Sequence, residues 1–155
     1  MHTIQIAARF REVLLNGSWI STNFKTQLED VTLEEATTEI ANLNTIALLA
    51  FHIHYYVAGV LNVLEGGSLD IRDKFSFDMP PMNTAADWDA FRSRMWKDAE
   101  QFAQKVEQLP DSELWNVFTD EKYGNYYRNM EGMIEHCYYH LGQIVLLKKL
   151  VRGSK

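Results

Sequence analysis

Residues 45–64 read TIALLAFHIHYYVAGVLNVL, 20 positions without an Asp, Glu, Lys or Arg. A helix of that length is long enough to cross a bilayer, so the reading of this one stretch decides what kind of protein the chain makes. His52, His54 and Asn62 lie within it, and no cluster of basic residues flanks either end, as a membrane span would require. A helix apolar on every side but not in lipid belongs at the centre of a bundle. An all-α core built around this segment is therefore expected, and a membrane partner is not.

Working upstream, Thr3 to about Leu15 places Ile4, Ala7, Ala8, Val13 and Leu14 at helical spacing until NGS at 16–18 interrupts. Trp19 to about Leu28 is expected to resume the helix, and Thr32-x-x-Glu35 is a capping-box pattern for a short helical turn. Downstream, Gly66-Gly67 ends the apolar helix. The segment SLDIRDKFSFDMPPMNT, 68–84, has paired prolines and no sustained period, so it reads as a long surface connection.

Thr84-x-x-Asp87 then opens a third long helix, with Trp88, Phe91, Met95, Phe102, Val106 and Leu109 along one side and Pro110 as its stop. Residues 111–127 are turn-rich. A last helix from about Asn129 to Val151 ends among Lys148, Lys149 and Arg152, charges suited to a helix C-terminus. With no strand pattern, four main helices in a bundle is the economical expectation, as one domain over 1–155. The connection before the third helix spans about 60 Å when extended, twice the ~30 Å of a 20-residue helix. It can carry the chain back, which permits the second and third long helices to run parallel.

The composition narrows function mainly by exclusion. A net charge of -6 and the lack of any Lys/Arg run leave nothing to collect phosphate backbones, so nucleic acid is not an expected partner. Cys137 is the single cysteine, which rules out an intramolecular disulfide and suits a reducing compartment. The opening MHTIQIAARFREV meets Arg9, Arg11 and Glu12 before any signal-length apolar block. A cytoplasmic location is the expectation.

Chemistry enters with EHCYYH at 135–140, where His136 and His140 are one helical turn apart and share a face. Such a pair can hold two positions of a metal at little further entropic cost. A third ligand would come from His52 or His54, both in a helix where an unpartnered imidazole is costly. These two point about 200° apart, so at most one meets the pair. Both stripes are otherwise apolar, and periodicity does not choose between them.

The order FHI, a gap of some eighty residues, then EHCYYHLGQI resembles the DinB-like superfamily, which includes the YfiT-type metal-dependent hydrolases and related thiol S-transferases. NGSW before the second long helix and the long middle connection are similar as well. The resemblance implies a four-helix bundle of DinB/YfiT type, often a homodimer, with a three-histidine divalent metal site at one end of its interior. His52, followed by Ile53, matches the first ligand position, and His136 and His140 match the other two.

Three imidazoles leave a zinc or nickel ion with an open position and its full charge, suited to activating water or a substrate thiol. A small molecule, such as a low-molecular-weight thiol, is the expected partner. The competing expectation is a bundle that holds metal or a small ligand without turnover.

Around that site, Tyr56 and Gln143 are candidates to orient a ligand or line the pocket, with core packing and backbone satisfaction as the alternatives. Asn16 and Trp19 are candidates for its mouth, Trp19 being expected rather in the core. Cys137 is turned about 100° from His136 and reads as a small buried hydrophobe. Glu131 and Glu135 suit a solvated face, and His2 the surface.

Overall fold

The computed structural model describes residues 1–17 and 19–153. Among these residues six α-helices follow one another: α1 (His2–Leu14), α2 (Phe24–Leu28), α3 (Leu33–Thr37), α4 (Ile46–Leu64), α5 (Ala85–Gln108) and α6 (Tyr126–Arg152). Short 3-10 turns lie at Asp73–Phe75, Asp111–Trp115 and Glu121–Tyr123. Among the described residues the extended pairing is one isolated bridge, Val117 to Asn125.

Local chemistry explains the helix ends. Thr45 accepts a hydrogen bond from Leu48 N at 3.2 Å to start α4, and Gly66 follows its end at φ +94°. Thr32 with Glu35 and Thr84 with Asp87 form the two expected capping boxes. The expected helix from Trp19 is shorter than anticipated: Asn23 caps a helix that begins only at Phe24, after Ser21 adopts φ +60°. α6 starts three residues before Asn129, because Asn125 accepts from Arg128 N at 2.8 Å and lets Tyr126 and Tyr127 join the helix.

The four long helices form a ring in which α1 packs on α5 and α6, and α4 packs on the same two; α1 and α4 are diagonal. Asp111, just past the end of α5, holds the N–H groups of His2 and Thr3, so α1 and α5 are antiparallel. Arg11 extends that seam by pairing with Glu100 and Glu107. Arg9 bonds Glu131 in the first part of α6, and the segment that follows α1 meets Lys148 near the other end, so α1 and α6 run together. α4 opposes α6, since Leu49 and Leu147 line one cavity towards one end and Val60 and Gly132 line another towards the other. It follows that α4 and α5 are parallel, joined by residues 65–84 returning along the bundle.

Segment 24–37 covers one end. Trp88 donates its indole N–H to Val31 O at 2.8 Å, and Lys148 donates to Gln27 O at 2.8 Å. Inside, Phe10 and Phe102 stack at 4.1 Å between centroids within one continuous apolar core. No buried polar side-chain atom among the described residues is without a hydrogen-bond partner, as a well-formed interior requires. Ile46–Leu64 is, among those residues, the helix long and apolar enough to cross a membrane, yet most of it is buried within the protein. Packing against α5 and α6 accounts for its lack of charge.

Candidate metal centre

Because α4 and α6 are antiparallel neighbours, the middle of one passes the middle of the other, and His52 meets the turn bearing His136 and His140. The Nε2 atom of His136 lies 3.1 Å from Nε2 of His52 and 2.9 Å from Nε2 of His140. One nitrogen from each of the three falls within 4.8 Å of the others. A tetrahedral zinc with bonds of 2.0–2.1 Å separates its nitrogen ligands by about 3.3 Å, close to the two shorter separations here. Three histidines thus lie close enough together to hold a divalent ion, and no carboxylate belongs to the group.

Groups behind the rings set which nitrogen is free. Ser76 O accepts from His52 Nδ1–H at 3.2 Å, and Gln143 Oε1 accepts from His140 Nδ1–H at 2.7 Å. A donor role for each Nδ1 leaves the Nε2 lone pair of the neutral ring pointing to the shared centre. Phe77 stacks on His52 at 4.0 Å, and Tyr56 meets both His52 and His136 edge-on. These contacts restrict ring rotation.

Burial also keeps the rings uncharged. His52 and His140 are 6% and 7% exposed, and desolvation moves both below the usual imidazole value. His136 falls to about 4, through desolvation first and then the neighbouring His140 and His52. Neutral imidazoles are the form that ligates a metal. Cys137, one residue away, is fully buried, and burial pushes its thiol far up; it faces the core and takes no part in the cluster.

The structure resolves the choice that spacing left open. His54 points to α5, where Nε2 is 2.7 Å from Asp98 Oδ2, while its neighbour two positions back joins the cluster. Gln143 and Tyr56 both border the site, Tyr56 donating its hydroxyl to Asp73 Oδ1 at 2.9 Å. Trp19 is 96% exposed, against the expectation of a core residue, and Asn16 is exposed too; Ser18 of NGSW lies outside the described residues. Glu131 and Glu135 pair with Arg9 and Arg128, and His2 with Asp111.

Ser76, Phe77 and Asp73 were not foreseen. All three come from the connection read as plain surface, and a carbonyl that orients a ring leaves no mark in the side-chain pattern. No protein-family model, curated protein or solved structure matches this chain.

Proposed function

We propose that His52, His136 and His140 hold one divalent cation, zinc or nickel, in a metal-dependent enzyme of the DinB-like superfamily, of hydrolase or thiol S-transferase type. The observation that carries this reading is the convergence of three Nε2 atoms from two antiparallel helices, two of the separations being 2.9 and 3.1 Å. The helix order, the parallel α4 and α5 and the long connection between them support the superfamily assignment.

Held by His52, His136 and His140, such an ion would lower the pKa of a water or substrate thiol, since three neutral imidazoles would leave its charge uncompensated. The chain contributes the rest: Ser76 and Gln143 hold the ligand tautomers, and Phe77 shields one face of His52 from water. Metal analysis of protein purified without immobilised nickel tests the reading. The wild-type chain should carry about one equivalent and each His→Ala variant much less; full loading in all three variants would refute it.

A further inference from the structure

A cavity of about 480 Å³ opens beside His136, between α4, α6 and the two connections at residues 65–84 and 109–125. That volume suits a small ligand. Its lining is divided. Val60, Leu69 and Met133 make an apolar floor, Tyr56 and Asp73 lie on the α4 side, and Lys122 and Arg128 bring two cations from the other.

Arg128, Gly132 and His136 share one stripe of α6 at successive turns. The guanidinium folds back over Gly132: a Cβ built there would be 3.4 Å from Arg128 Nη1. Gly132, beneath the cation, lies one helical turn, roughly 6 Å, from the level of His136. Glycine inside a helix costs stability relative to alanine. Here its missing side chain leaves the space between the cation and the histidine open. Arg128 also pairs with Glu135 at 3.1 Å and Lys122 with Asp120 at 3.7 Å, all four side chains largely exposed. A pair of that kind contributes little and yields readily to a better partner. On the opposite wall, Asp73 would repel an anion and so fixes which way one enters.

We infer that the substrate of this site is an anion, a small molecule whose carboxylate is bound by Arg128 and Lys122 while its reacting group meets the three-histidine centre. This rests on the metal-centre reading above. Two cations whose present partners are exposed carboxylates thus stand beside the histidine cluster of a chain of net charge -6.

Cobalt-loaded protein, whose visible bands report ligand binding, separates the two ideas. It would be titrated with butanohydroxamate and with succinohydroxamate, which carries a carboxylate in place of the terminal methyl. The carboxylate probe should bind about tenfold tighter to the wild-type chain. The preference should shrink to within about twofold in the Arg128→Gln/Lys122→Gln variant and persist in Arg94→Gln, which removes one positive charge from a different cavity, one lined by His54 and Phe51 of α4 and Phe91 of α5. Equal affinities in the wild-type chain, or a preference that survives the double change, overturns the anion assignment alone. A wild-type chain that binds no cobalt overturns the metal centre, and the assignment with it.

Discussion

His136 carries the most informative titration. In the fold it stays neutral down to about 4, while its ordinary value is 6.5. Between those values the unfolded chain binds more protons than the folded one, so stability falls as pH is lowered through this window and levels off below it. With the ring only half-buried, solvent screening reduces the effect to about 1–2 kcal/mol for the metal-free protein. Urea unfolding of metal-free protein at about pH 7 and about pH 4.5 should show that loss, and His136→Gln should reduce it, leaving the part due to His52 and His140, which burial also moves below the usual imidazole value. Gln143 acts one bond further out: Gln143→Leu removes the acceptor for His140 Nδ1–H and should weaken zinc binding about 10–100-fold in a chelator competition, with secondary structure unchanged.

α5 is where sequence and fold agree most closely. Its start was legible because Thr84 and Asp87 satisfy each other's backbone N–H groups through purely local chemistry. Thr84→Ala should therefore cost about 1 kcal/mol in a denaturant midpoint analysis, and a silent substitution would mean the start of α5 is held by packing instead. α4 was legible for a different reason, its uniform apolarity. The identity of the third histidine was not: His52 and His54 look out over equally apolar stripes, and only the placement of α5 and α6 on either side distinguishes them. The Tyr126-Tyr127 start of α6 was hidden because Asn125 follows a glycine and reads as turn. Ser76 was invisible in principle, since it acts through a backbone carbonyl that every residue possesses.

Across the molecule, the connection at 65–84 links the packing of α4 to the centre. Gly59 lets it lie close: a Cβ at that position would come within 2.5 Å of Ile71. Gly59→Ile should lift Ile71 away and disturb Ser76 and Phe77 downstream, lowering zinc affinity about tenfold although position 59 touches none of the three ligands. Isothermal titration of zinc into the variant checks this, and unchanged affinity would show that the two ends of the connection move independently.

The diagonal placement of α1 and α4 also governs biosynthesis. When the first 84 residues have been made, the two long helices already complete share almost no contact, and the carboxylate that holds the amino end of α1 arrives only at Asp111. Nascent chains must therefore keep an apolar α4 waiting, and ribosome-bound intermediates shorter than about 110 residues are expected to recruit chaperones and to be cut readily by proteases.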